Sequence, residues 1–271
     1  MCRILAVSTS GYYAWRKQPV SEREMANQKL VLKIKEVHTQ SDRSYGAPRV
    51  YKALRAQGYT CNHKRVERLM RVNDIRAKQS KRYKVTTRSN HAHSVAPNLL
   101  ARDFKAERPN EKWVSDITYI LTAEGWLYLA GVMDLHSRKI VGWAMDKRMT
   151  SELVCKAFKM AVAHRQPKSG LLHHSDRGSQ YTAQPYQDLL KQHHCQVSMS
   201  RKGNCWDNAP MESFFATLKN ELIHHHSYQT RAQAKSDIFV YIEGFYNRVR
   251  LHSTLDYQSP EQFENTYFRL N

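Results

Sequence analysis

Acidic residues are scarce. The 271-residue chain carries 24 Asp and Glu against 43 Lys and Arg, a formal net charge of +19. An excess this large, spread along the chain, marks a protein that binds a polyanion. Long apolar runs are missing as well, and no signal peptide or amphipathic basic helix stands out, so a membrane-surface protein finds no support. Cysteine is sparse and scattered: Cys2, Cys61, Cys155, Cys195 and Cys205 form no C-x-x-C pair. That excludes a disulfide framework or zinc ribbon and suits a reducing cytoplasm. The length allows one sizeable core with a small appended domain.

Among the few acids, three sit in telling places. Asp176 follows the short apolar run Leu171-Leu172 and precedes the turn Arg177-Gly178-Ser179. A carboxylate at the end of a buried strand lies where ligands meet α/β sheets. Glu212 lies in a segment whose Met211, Phe214, Phe215, Leu218 and Leu222 recur at helical spacing, with Asp207 and Asn208 as candidate N-caps. Lys219 is two turns further along the same face. Asp116 stands in the middle of a β-branched and aromatic strand, Lys112–Leu121, where a charge needs a reason. Three carboxylates brought together repel unless a cation sits between them. Oxygen ligands without a Cys/His partner select Mg²⁺ or Mn²⁺, two ions per site, and such sites serve in-line displacement at a phosphodiester.

The stretches WVSDITYI, HHSDRGSQY and GNCWDNAPMESFFATLKNE closely resemble the three DDE blocks of bacterial insertion-sequence transposases with a retroviral-integrase-type core. The nearest group is the IS-three family, and the chain resembles its second-frame product, OrfB, over nearly the whole length. The resemblance implies an α/β ribonuclease-H-like core, a mixed five-stranded sheet flanked by helices, preceded by a small all-α helix-turn-helix-like domain. It implies Asp116, Asp176 and Glu212 as the metal-binding catalytic triad. Asp134, at the end of the second strand, is read as a structural acid outside it.

Taken in order, residues 1–75 form the helical DNA-binding region. VSTSGYYAWRKQP is a short aromatic segment expected to dock, and Ser21 with Glu24 makes a possible capping box for a helix to about His38. Pro48 opens a second helix that Gly58 stops. Asn62 caps a third, with Val66, Leu69 and Met70 inward and Lys64, Arg65, Arg68 and Arg71 mostly outward. Residues 76–110, in which Arg76, Lys78, Lys81, Arg82, Lys84 and Arg88 appear with no acid before Asp103, read as a phosphate-tracking linker. The core, 111–228, reads β-β-β-α-β-α-β-α, with Ser151 capping its first helix. In ribonuclease-H-like folds the first and fourth strands lie side by side, which would bring Asp116 and Asp176 together. His173-His174 read as substrate contacts or as satisfied structural histidines, and His224–His226 as an exposed helix end. Residues 229–271 hold a long helix capped by Thr230 and a tail that folds back on the Glu212 helix.

These readings converge on a metal-dependent transposase that cleaves and transfers DNA strands at insertion-sequence ends. Lys219, Arg49, Lys64, Arg65, Arg68, Lys81, Arg82, Arg177 and Arg250 are the expected DNA contacts. The expected partners are double-stranded DNA, further copies of the chain and the first-frame product (OrfA) or a fusion with it, in the bacterial nucleoid-associated cytoplasm. A catalytically inert DNA-binding relic and a ribonuclease-H-type nuclease are the rival readings.

Overall fold

The computed structural model describes residues 2–17, 20–78, 96–201 and 205–270, in two compact units, Met1–Ala77 and Lys78–Asn271. Lys81 and Arg82, with Lys84 and Arg88, lie outside the described residues.

The first unit is helical. Ser8 caps α1 (Thr9–Arg16), its Oγ accepting from the Gly11 amide at 3.0 Å. This helix buries none of its residues, and Tyr13 and Trp15 stay exposed, so the aromatic segment does not dock as expected. Ser21 caps α2 (Glu22–Gln40) through the Glu24 amide, while the Glu24 side chain accepts from Asn27 instead of closing a capping box. Pro48 sits in the first turn of α3 (Ala47–Ala56), which ends before Gly58 at φ +86°. Asn62 Oδ1 accepts from the Arg65 amide at 2.8 Å and opens α4 (His63–Val72). Helices α2, α3 and α4 pack together around Ile34, Val50, Leu54 and Val66, all fully buried. Each such side chain contributes about 1.5–3 kcal/mol on burial.

The second unit is a five-stranded sheet between two helical layers. Strands β1 (Lys112–Thr122), β2 (Gly125–Asp134) and β3 (Ile140–Asp146) form an antiparallel meander. Then follow α5 (Ser151–Arg165), β4 (Leu172–Ser175), α6 (Ser179–Thr182), α7 (Gln184–Gln192), β5 (Gln196–Met199), α8 (Ala209–Glu221), α9 (Arg231–Phe239) and α10 (Pro260–Leu270). The sheet order is β3-β2-β1-β4-β5, with β4 parallel to both its neighbours. Successive strand residues point to opposite faces. Trp113, Ala130 and Val132 therefore pack with Phe158 of α5 and Leu190 of α7, while Val114, Ile120 and Leu129 pack with Phe214, Phe215 and Ile238. Thr150, not Ser151, holds the cap position of α5.

Two further expectations change. The end of the stretch read as linker belongs to this unit: Leu100 is buried in its core, and the Leu99 and Leu100 amides donate to Ser198 Oγ at 2.9 and 3.1 Å. A pair of leucines has no periodicity to betray it. The helix capped by Thr230 does continue toward Asn247, but as a π-helix from Val240 to Tyr246.

Candidate active site

Asp116 on β1 and Asp176 just past the end of β4 belong to adjacent interior strands, and Asp116 is within electrostatic reach of both Asp176 and Glu212. Strands β1 and β4 run parallel with Val114 paired to His174, so Asp116 and Asp176 both lie two residues beyond the same pair. Asp116 interrupts the ladder's apolar run, its Oδ1 accepting from the Ile117 amide at 2.8 Å. Asp176 closes a tight turn, its Oδ1 accepting from the Gly178 amide at 2.8 Å. Gly131 faces Asp116 across the β1–β2 ladder, and a Cβ there would stand 3.0 Å from Met211 Cε. Its bare backbone lets the first turn of α8 approach the sheet, and Glu212 is in that turn.

Charge follows from this placement. Asp116 is half-buried, and desolvation together with the Asp176 charge pushes its carboxyl well above the usual range; Glu212 adds to the effect and Lys219 opposes it. Glu212 keeps an exposed side, yet partial desolvation raises it as well. Lys219 is half-buried with its Nζ 4.8 Å above the Tyr119 ring, which in turn meets Trp126 edge-on at 5.0 Å. Desolvation lowers the lysine against the pull of Tyr119 and Asp116. Among the described residues no three His, Cys, Asp or Glu side chains close to the spacing of a single ion's ligand set. The acids approach electrostatically without forming a closed cage.

Two residues that the sequence offers only as helix caps do more. Asp207 is fully buried and accepts from Asn98 Nδ2 at 2.9 Å, Arg102 Nε at 2.9 Å and Arg201 Nη2 at 3.0 Å. The Arg201 guanidinium, helped by Arg102, holds its carboxyl well below the usual range against the pull of burial. Asn208 donates from Nδ2 to the Ser115 carbonyl at 3.0 Å, tying the start of α8 to the residue before Asp116. No spacing in the sequence could pair Asn208 with a strand ninety-three residues earlier.

His173 and His174 are buried among hydroxyl partners. His173, fully buried, meets Ser115 Oγ at 2.9 Å and Tyr186 at 3.1 Å, and burial lowers it to about 3. His174 bridges Ser198 and Ser200 and is lowered by burial to about 4. Asp134 is buried too, accepting from the Asn110 and His136 amides at 2.7 and 2.9 Å and from Arg165 at 3.2 Å. His224–His226 are exposed.

The expected DNA contacts divide. Arg250 does not fit: it is 5% exposed and grips Glu221 of α8, Nε at 2.9 Å and Nη2 at 2.7 Å, while Tyr241 donates to the same carboxylate at 2.7 Å. A buried charge so paired braces α8 and cannot also lie on a phosphate. Arg177 is half-buried and donates from Nε to the Ser200 carbonyl. In the first unit Lys64 and Arg68 are exposed on α4, whereas Arg65 is half-buried and donates to Asn27 at 3.0 Å. Arg49 lies half-buried, 5.9 Å above the Tyr45 ring.

Comparison with known proteins identifies the family. The integrase core domain matches residues 106–205 and, in a second family, residues 212–268; an HTH-like domain matches residues 25–83. The IS600 uncharacterized 31 kDa protein of Shigella sonnei is 46% identical over 270 residues, 100% of this chain and 99% of its own. Transposase InsF for insertion sequence IS3A of Escherichia coli (strain K12) is 46% identical over 267 residues, 98% of this chain and 93% of its own. A solved HTLV-2 integrase catalytic core domain in complex with magnesium covers 59% of this chain and 99% of its own, with 17% identity and a TM-score of 0.45. At that identity and coverage the chain belongs to the IS3-type insertion-sequence transposases, enzymes that cut and rejoin DNA.

Proposed function

We propose that the chain cleaves DNA at the ends of its insertion sequence and joins the freed end to a second phosphodiester, with Asp116, Asp176 and Glu212 as the catalytic, metal-holding triad. The observation that carries this reading is the parallel β1–β4 register, which sets Asp116 beside Asp176 under the first turn of α8. A divalent cation suits these residues. Their donors are all carboxylate oxygens, and Asp116 is raised by burial and by its acidic neighbours in a way that a cation would reverse. Mg²⁺ or Mn²⁺, two ions per site, would activate the attacking oxygen and stabilise the leaving one.

The chain's own groups do the positioning. Lys219 reaches from two turns beyond Glu212 to a phosphate near the scissile bond, and Arg177 lies at the end of β4 beside Asp176. Lys64 and Arg68, with Arg49, Arg65, Lys81 and Arg82, supply further phosphate or base contacts along the duplex. Water first attacks the scissile phosphorus and displaces a 3′-hydroxyl; that hydroxyl then attacks a second phosphodiester and displaces its bridging oxygen. The domain plan follows the same reading with the corrected boundary: a DNA-binding region over 1–75, a linker from 76 whose end at Leu99-Leu100 already belongs to the catalytic core, that core to 228, and a closing segment over 229–271. The chain works as an oligomer on DNA in the bacterial cytoplasm, with the first-frame product as a partner; no helix among the described residues is long and apolar enough to cross a membrane.

Incubation of the purified chain with a duplex carrying the inverted-repeat ends, with and without Mg²⁺, tests the proposal. Metal-dependent nicking at the repeat boundary is the expected result. Binding without nicking would favour the inert relic, and cleavage confined to RNA–DNA hybrids would favour the nuclease.

A further inference from the structure

Beside the site stands an aromatic side chain that nothing in the mechanism yet uses. Trp206 is 67% exposed on the 3₁₀ turn Cys205–Asn208, which leads directly into α8. Exposing so large an apolar surface is costly, and a lone exposed Trp ordinarily leans on a neighbour, as Trp126 leans on Tyr119. The two residues after it are locked. Asp207 is clamped by Asn98, Arg102 and Arg201, and Asn208 by the Ser115 carbonyl. The backbone is therefore anchored on the C-terminal side of the indole, and the ring is exposed to solvent. Two residues span at most about 7 Å, so the Trp206 backbone stays within that reach of Asn208, whose amide touches the residue before Asp116.

We infer that Trp206 is a stacking platform for one unpaired nucleobase next to the scissile phosphate. This rests on the reading of the site as a DNA strand-transfer centre. Every base has a π face, so stacking tolerates any sequence while fixing where the strand lies. A phosphate held by the acids' cation and a base held by the indole would pin one nucleotide at two points. An anchored backbone lowers the chain entropy lost when the base and the ring are held together.

The test is a substitution cycle read by binding in the Asp116→Asn background, so that it needs no turnover. The probe is the inverted-repeat duplex with a single abasic site walked across the boundary, titrated with the full chain carrying Trp206, Trp206→Ala, Trp206→Phe or Trp206→Leu. At one or two positions, the abasic site should weaken binding by the unaltered turn about tenfold. Trp206→Ala should cost about the same, and the two together no more than either. Trp206→Phe should retain most of the affinity, and Trp206→Leu, which keeps bulk without a π face, should not. Losses that multiply at every position, or Trp206→Ala binding within twofold, would overturn the inference. So would an effect of Trp206→Ala on self-association alone. Failure of the Mg²⁺-dependent nicking assay would instead strike the functional reading, and it leaves this cycle readable.

Discussion

The acids of the second unit fall into two kinds, those gripped by an arginine and Asp116, which is raised by its acidic neighbours. Asp207 has Arg102 and Arg201, Glu221 has Arg250, and Asp134 shares Arg165 with Glu264. Asp116 faces Asp176 and Glu212 instead, with Lys219 as a more distant counter-charge. The consequences run in opposite directions. Asp207 is held well below the usual carboxylate range by Arg201, and Glu264 is pulled down by Arg165 although burial opposes it. Burial and like charge push Asp116 far up. Asp134 marks the boundary between the kinds: burial outweighs Arg165 and leaves it somewhat raised. Acids held by an arginine brace the fold, and an acid raised by its acidic neighbours, as Asp116 is, favours a cation beside it.

The comparison breaks most visibly at Asp176. Asp176→Asn should reduce cleavage by on the order of a thousandfold or more while leaving DNA affinity nearly intact, because phosphate contacts dominate affinity. Asp134→Asn is the contrasting control and should keep measurable activity. Equal loss in both variants would erase the distinction between the two kinds of acid. On the bracing side, Arg250→Ala strands Glu221 without its partner and should cost about 3–5 kcal/mol. Calorimetry should record a fall in Tm of roughly 10 °C or more. A Tm within 2–3 °C of wild type, on a scale of about 2–4 °C per kcal/mol, would show that the pair braces nothing.

How much of this was open to reading in the sequence depends on how far each signal reaches. Asp116, Asp176 and Glu212 were legible because each sits in a local pattern, a strand centre, a strand end and a helix face, and the order of elements predicts the β1–β4 contact. Asp207 and Asn208 were not. A local rule makes both of them caps, whereas Asn208 spends its amide on Ser115 and Asp207 its carboxylate on residues before β1. Arg250 was misread for the same reason, since a basic residue in a basic tail looks solvated until its partner, Glu221, is known. The Leu99-Leu100 pair hid inside a stretch whose composition says linker. Side chains whose partners lie dozens of residues away leave no periodic trace.

Lys219 stands between the two kinds. It belongs to the site by its pull on Asp116, yet it is braced by the face of Tyr119 at 4.8 Å. Lys219→Ala should keep fold and metal binding but lose strand transfer by on the order of 100-fold, the scale of a misplaced substrate. Tyr119→Leu removes only the ring, and a cation–π contact is worth about 0.5–2 kcal/mol, so a loss of several-fold is expected. Transfer by Lys219→Ala within twofold of wild type would make it a solvated lysine.

The smallest effect is the sharpest, because the two kinds of acid should differ in sign. Asp116 has a raised folded pKa, so the fold binds its proton more tightly than the unfolded chain does. Its ionisation therefore costs stability as pH rises from the ordinary carboxylate value through the folded one. Asp207 has a depressed folded pKa, and the stability it contributes is present above the ordinary value and lost as pH falls toward the folded one. In EDTA at neutral pH, Asp116→Asn should thus raise Tm by a few degrees and Asp207→Asn should lower it. Acidification below about pH 4 should narrow the Asp207→Asn difference as the carboxylate protonates in the unfolded chain while the fold still holds it ionised. Adding Mg²⁺ should then stabilise the wild type by mass action and leave Asp116→Asn nearly unmoved. If both variants shift the same way in EDTA, the field at Asp116 is already balanced by the protein, and the cation has no electrostatic reason to bind there.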